Sequence, residues 1–178
     1  KLPSHLLQFS QDKKPVVVWN VGQRCNLKCI HCYSQSKDIE YPNELTTKEA
    51  KAMLDDLADY GAPVILFSGG EPLMRHDLLE LIRYPKKKGL RELISTNGTL
   101  ITKEKAHELK KFGLSYVGIS LDGLKETNDR FRGIPGAFDA ALEGIRNCMS
   151  VGIKVGLGFT INKRYYRDIP GIFQLIEN

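Results

Sequence analysis

Five short runs rich in β-branched residues recur along the chain, and a helical pattern follows each of the first four. This alternation restricts the fold more than any other feature of the sequence. The runs are Val16–Val21, Val64–Ser68, Glu92–Thr96, Tyr116–Leu121 and Val155–Ile161. They are mostly continuous, as strands buried on both faces are. Ala50, Met53, Leu54 and Leu57 follow the spacing of one helix face, and Thr46 with Glu49 forms a capping box ahead of them. Leu78, Leu79 and Ile82 mark a second helix, which Pro85 ends or kinks. Thr102 caps a third helix carrying Ala106, Leu109 and Phe112, and Phe138, Ala141, Leu142, Ile145 and Met149 mark a fourth. Gly61, Gly89, Gly113 and Gly152 follow the four helices, as expected where a chain must turn through the left-handed conformation. A further helix is expected to start at about Tyr166.

Strand–helix repetition implies parallel strands joined by right-handed crossovers. A doubly wound sheet focuses its site at one switch point, whereas a barrel builds its site from all the loops at one end. Here polar or glycine-rich signatures follow every one of the first four strands: Cys25–Cys32, Gly69-Gly70-Glu71-Pro72, Thr96-Asn97-Gly98 and Asp122-Gly123. The expectation is an α/β fold of barrel type, left incomplete after the fifth strand. The 178 residues fit one domain, read as a polar arm over residues 1–14 and a core over residues 15–178. No apolar run approaches the roughly 18–20 residues of a membrane span, and no signal peptide is visible. The chain begins without Met and stops at Glu177-Asn178, and is read as a piece of a longer protein.

The net charge of +5 raises the question of nucleic acid, but the densest basic run, Lys86-Lys87-Lys88, reads as a solvated helix end. The expectation is no nucleic-acid and no membrane partner, with the positive field suited to an acidic small molecule. Three of the four cysteines crowd into Cys25, Cys29 and Cys32, while Cys148 falls on the apolar face of the fourth helix and reads as core. Such clustering indicates metal binding in a reducing compartment and hence a cytoplasmic location. Cubes devoted to electron transfer use four cysteines. Three thiolates in C-x3-C-x2-C spacing would leave one iron of a [4Fe–4S] cube free for another ligand. A zinc site with His31 as fourth ligand is awkward beside Cys32, and a redox pair from Cys29 and Cys32 is a further alternative. Tyr33 after the last cysteine excludes a c-type haem motif.

With this motif the sequence resembles the radical S-adenosylmethionine superfamily, from Pro15 to the end of the chain. The resemblance implies a partial (βα)6 TIM-like barrel and a cluster on Cys25, Cys29 and Cys32. It also implies S-adenosylmethionine on the open iron, cleaved by one electron to a 5′-deoxyadenosyl radical. Gly69-Gly70-Glu71-Pro72 is similar to the family's GGEP motif; its glycines allow close approach to a ligand and Glu71 can pair with a cationic amine. His31 and Tyr33 stand at the cysteine motif, His31 where an aromatic residue lies against the adenine. Ser120 resembles the serine that bonds the ribose, and Arg132 the arginine that pairs with the cofactor's carboxylate, with Arg130 as the other candidate for that pairing. Ser95, Thr96 and Asn97 resemble a strand end that faces cofactor or substrate, although an Asn-Gly turn explains them too. Asn162, after the fifth strand, is a further candidate contact, and Asp122 a loop cap.

Val16–Asn20, Tyr41–Thr46 and Gly61–Ser68 resemble the haem-biosynthesis branch of that superfamily. Its members remove acetate or propionate side chains from didecarboxysiroheme, a polyanionic tetrapyrrole. They carry a second, auxiliary [4Fe–4S] cluster in a C-terminal extension and take electrons from a reductant such as ferredoxin or flavodoxin. The alternatives are a peptide-modifying radical enzyme, a haem d1 enzyme, and a non-catalytic iron–sulfur or zinc module.

Overall fold

The computed structural model describes residues 14–177. The first thirteen residues of the expected arm lie outside the described residues. Five strands, β1 (Val17–Gly22), β2 (Val64–Gly69), β3 (Arg91–Thr96), β4 (Tyr116–Ser120) and β5 (Lys154–Gly158), form one sheet in sequence order. Every neighbouring pair is parallel. The helices are α1 (Thr47–Tyr60), α2 (Leu78–Arg83), α3 (Lys103–Phe112), α4 (Lys125–Arg132), α5 (Ala137–Ser150) and α6 (Ile169–Glu177). The expected α/β architecture with an open, five-stranded barrel wall is borne out. Among the described residues no helix is long and apolar enough to cross a membrane.

The local signals behave as their chemistry requires. Thr46 accepts from the Glu49 amide while the Glu49 side chain accepts from Thr46, so both groups of the capping box are used. Gly61, Gly89 and Gly113 each stop their element in the left-handed conformation. The Pro85–Lys88 run is a separate 3-10 turn after α2, and Lys88 Nζ pairs with Asp55 at 2.6 Å. Lys86 and Lys88 are exposed, as expected of a solvated run, but they stand in this separate turn and not in α2 itself, and Lys88 is tied to α1.

Two expectations required correction. Strand β5 stops at Gly158, three residues short of the expected end, because Thr160 N turns aside to donate to Asp122 Oδ1 at 2.6 Å. Helix α4 was not expected. Only Phe131 among its eight residues is strongly apolar, and it buries Asn128, Phe131 and Arg132, so hydrophobic periodicity is silent there.

The two faces of the sheet differ. Phe67, Ile94 and Ile119 face the helices and are fully buried with Leu54, Leu81 and Leu109. Each such side chain stabilises the fold by roughly 1.5–3 kcal/mol. The opposite face carries Ser68, Ser95, Gly118 and Ser120, small residues that leave the concave side open near the carboxyl ends of the strands. Glu92 departs from the apolar rule on the helix face. It is 6% exposed and its Oε1 has no hydrogen-bond partner among the described residues. Burial pushes its carboxyl above the usual range. A raised folded-state value means that the stability contribution is complete below the unfolded pKa of about 4.3 and is lost as pH rises through the folded value. Glu92→Gln is therefore expected to stabilise the protein at neutral pH and to flatten the fall in stability above the unfolded pKa, read by thermal unfolding. Equal or lower stability at pH 7 would contradict the assignment.

Candidate functional site

The cysteine loop lies across the carboxyl ends of the strands and is fastened by three neighbours. At the β2 end, Gly70 N donates to Gly22 O at 2.9 Å and Glu71 N to Arg24 O at 2.8 Å. At the β3 end, Asn97 Nδ2 donates to Asn26 Oδ1 at 2.8 Å and lies 4.0 Å from Cys25 Sγ. At α4, Lys28 N donates to Arg132 O and Ile30 N to Phe131 O, both at 3.0 Å. The last carbonyls of α4, which lack partners within the helix, are thus satisfied by the cysteine loop. Gly133 makes this possible: its φ is +73°, and a Cβ there would meet Lys28 O at 2.3 Å.

Cys25, Cys29 and Cys32 line one cavity of about 430 Å³ together with His31, Tyr33, Gly69, Gly70, Ser95, Thr96, Asn97, Ser120 and Arg132. Most of the residues singled out in the sequence are therefore brought together. Tyr33 stands at the rim, 73% exposed, with its hydroxyl donating to Asn20 Oδ1 at 3.1 Å. His31 stacks on Phe131 with ring centroids 4.0 Å apart, so one face of the imidazole is already covered. Burial lowers its pKa and favours the neutral ring.

Glu71 and Asn162 lie elsewhere. The Glu71 carboxyl is fully buried behind the cavity wall. It accepts from Thr96 Oγ1 at 2.7 Å, Asn97 N at 2.8 Å and Leu73 N at 3.0 Å. Burial raises its pKa, against the pull of these donors. Asn162 uses its side chain on its own turn, donating to Thr160 O at 3.0 Å and accepting from Arg164 N at 2.9 Å. It borders a smaller recess of about 340 Å³ with Ile30, Phe131, Lys163 and Arg164, which meets the main cavity at His31 and Thr160.

The glycines of Gly69-Gly70 serve the chain as much as any ligand. A Cβ on Gly69 would meet Gly22 O at 2.3 Å, and one on Gly70 would meet Gln23 O and Arg24 O at 2.4 Å. A roomier cavity, about 580 Å³, lies beyond them and borders Arg24, Glu44 and Arg75. These groups already have partners in Asp38, the Gln23 amide and Asp77. The cysteine-lined cavity is therefore the better candidate.

Asp122 and Arg132 are the residues whose importance the sequence understated. Asp122 is fully buried and forms an ion pair with Arg132 Nη2. Arg132 is 8% exposed; its Nη1 lies 3.8 Å from Cys29 Sγ and its Nε has no partner among the described residues. Burial pushes the Cys25 thiol up to about 11 and raises Cys29, the latter opposed by Arg132. Cys32 is partly desolvated, but hydrogen bonds from Ser34 and Ser36 bring it below the usual thiol value. Ligation by the buried thiols must therefore release protons.

These residues fit an iron–sulfur cluster with S-adenosylmethionine. Among the described residues, no three His, Cys, Asp or Glu side chains are gathered closely enough for a single ion. A tetrahedral zinc with Zn–S bonds near 2.3 Å would bring its sulfurs within about 3.8 Å of one another. The three thiols border one cavity of about 430 Å³, which Arg132 also lines, and this arrangement suits a multinuclear cluster with an anionic ligand beside it.

Comparison with known proteins agrees. The Radical SAM superfamily profile matches residues 19–176. The chain is 70% identical over 177 residues to the Fe-coproporphyrin III synthase of Methanosarcina barkeri, covering 99% of this chain and 44% of that protein. It is 45% identical to the pre-heme d1 synthase of Dinoroseobacter shibae, covering 93% of this chain and 41% of that one. It is 42% identical to the AdoMet-dependent heme synthase of Oleidesulfovibrio alaskensis, covering 92% and 42%. The chain thus spans less than half the length of these relatives. Among solved structures, native anSMEcpe with bound AdoMet superposes with a TM-score of 0.75 at 21% identity, over 91% of this chain and 48% of that one, a likeness of fold. The chain belongs to the radical SAM superfamily.

Proposed function

We propose that the protein containing this chain removes the two acetate side chains of didecarboxysiroheme, leaving an iron porphyrin. The observation that carries the radical chemistry is the convergence of Cys25, Cys29 and Cys32 on one cavity beside Gly69-Gly70 and Arg132. When bound, a [4Fe–4S] cluster and S-adenosylmethionine together supply a 5′-deoxyadenosyl radical that abstracts hydrogen from substrate. The three thiolates hold the cluster. Gly69, Gly70, Thr96, Asn97 and Ser120 border the space for the cofactor, and Arg132, which lines the same cavity, pairs with the cofactor's carboxylate. His31, backed by Phe131, offers its open face to the adenine, with Asn162 beside the adjoining recess. Glu71 acts from behind, holding Thr96 and Asn97 in place. Electrons come from a ferredoxin or flavodoxin. A second cluster belongs to sequence outside this chain.

The substrate assignment is supported by the 70% identity to an Fe-coproporphyrin III synthase, whose name denotes an iron porphyrin. The test is anaerobic incubation of the full-length protein with didecarboxysiroheme, S-adenosylmethionine and a strong reductant, followed by mass spectrometry. Loss of two acetate groups coupled to 5′-deoxyadenosine is expected. Loss of propionate groups would move the assignment to the haem d1 reaction. An unchanged tetrapyrrole, with modification of a peptide encoded nearby, would replace it by peptide maturation.

A further inference from the structure

Arg132 is held more firmly than a ligand-binding arginine needs to be. Its backbone carbonyl accepts from Lys28 N at 3.0 Å, within the cysteine loop. Its Nη2 is paired with Asp122, and its Nη1 rests 3.8 Å from Cys29 Sγ. Asp122 is in turn fixed on every side. Its Oδ1 accepts from Thr160 N at 2.6 Å, and its own amide donates to Asn128 Oδ1 at 3.0 Å, one turn before Arg132 on α4. A fully buried carboxylate with this many partners has one orientation open to it, and it imposes one on the guanidinium. The two terminal nitrogens thus serve different partners, Nη2 the carboxylate and Nη1 the thiol, so the guanidinium is shared between Asp122 and Cys29.

From this arrangement we infer that Asp122 is a positioning residue that fixes Arg132 against Cys29, and that Arg132 thereby makes the cluster on Cys25, Cys29 and Cys32 easier to reduce. The inference rests on the cluster reading above and goes beyond it. A cation donating toward a ligating sulfur stabilises the reduced state, which carries one more negative charge, and so raises the reduction potential. Water near the sulfur would screen that charge; at 8% exposure little reaches Arg132. The same residue therefore acts on the protein's readiness to accept an electron, apart from any contact with S-adenosylmethionine.

The test is redox titration of the anaerobically reconstituted full-length protein without S-adenosylmethionine. The reduced cluster is followed by electron paramagnetic resonance, counting the signal that disappears in the C25A/C29A/C32A variant. Arg132→Lys keeps a charge but cannot reach both partners, and D122N/R132Q removes both buried charges together so that neither is stranded. Each is expected to lower the ratio of reduced to oxidised cluster about tenfold at a fixed solution potential, a shift of about 59 mV for one electron. Asp122→Asn separates positioning from simple charge. Removing an anion alone would raise the potential, whereas loss of the anchor lets Arg132 leave Cys29 and lowers it; the lower value is expected. Wild-type potentials in Arg132→Lys and D122N/R132Q would overturn the role of Arg132, and a higher potential in Asp122→Asn would overturn the positioning role. Failure of the unaltered protein to assemble any cluster would overturn the cluster reading itself, and this inference with it.

Discussion

Protein carrying Ala at positions 25, 29 and 32 is expected to bind no iron at this site after anaerobic reconstitution, whereas unaltered protein binds about four irons there. The broad visible absorption of the cluster should vanish with them. The expectation follows from geometry, since these thiols border the cavity and Cys148 does not. Cys148 is fully buried in the core on α5, with a pKa pushed up to about 11 by burial alone. Cys148→Ala should therefore keep its iron and lose only about 1 kcal/mol of packing, read by unfolding. Stoichiometric zinc without visible absorption in the unaltered protein would sink the assignment, as would iron that survives in the triple variant.

The legibility of this chain followed the chemistry of each signal. Signals that act within a few residues were readable: the Thr46–Glu49 box, the Thr102 cap and the terminal glycines all describe local backbone, and the structure contains each of them. The spacing of Cys25, Cys29 and Cys32 was likewise local. Helix α4 escaped because it is buried through Asn128 and Arg132, polar residues whose partners lie on other elements. The place of Glu71 escaped for the same reason. Its carboxyl could face outward to a ligand or inward to Thr96 and Asn97, and only the meeting of β2 with β3 decides this. Asp122 holds Thr160 N as a loop cap does; its hold on Arg132, ten residues along, exists only in three dimensions.

The double glycine carries the second large effect. Gly70→Ala is expected to cost about 3 kcal/mol and to abolish iron binding, although residue 70 is no cluster ligand. A Cβ at this position would stand 2.4 Å from both Gln23 O and Arg24 O and 2.8 Å from the Arg24 carbonyl carbon. These are backbone atoms, so no rotamer change relieves the clash. Overpacking of this kind costs about 1–3 kcal/mol. Relief requires the loop after β2 to withdraw from the end of β1, breaking Gly70 N to Gly22 O at 2.9 Å and Glu71 N to Arg24 O at 2.8 Å. Each such bond contributes about 1 kcal/mol. Cys25 directly follows Arg24, so the displacement reaches the first thiol. For a domain of this size the loss corresponds to a fall in Tm of about 10 °C. Gly89→Ala is the matched control. Gly89 has φ +80° but nothing within 4 Å of the added carbon, so strain of about 1 kcal/mol is its whole cost and iron binding should persist. Thermal unfolding and iron content of the two variants, measured side by side, separate backbone strain from lost contact between the β1 and β2 ends. Full iron content in Gly70→Ala would show that this contact does not hold the cysteine loop in place.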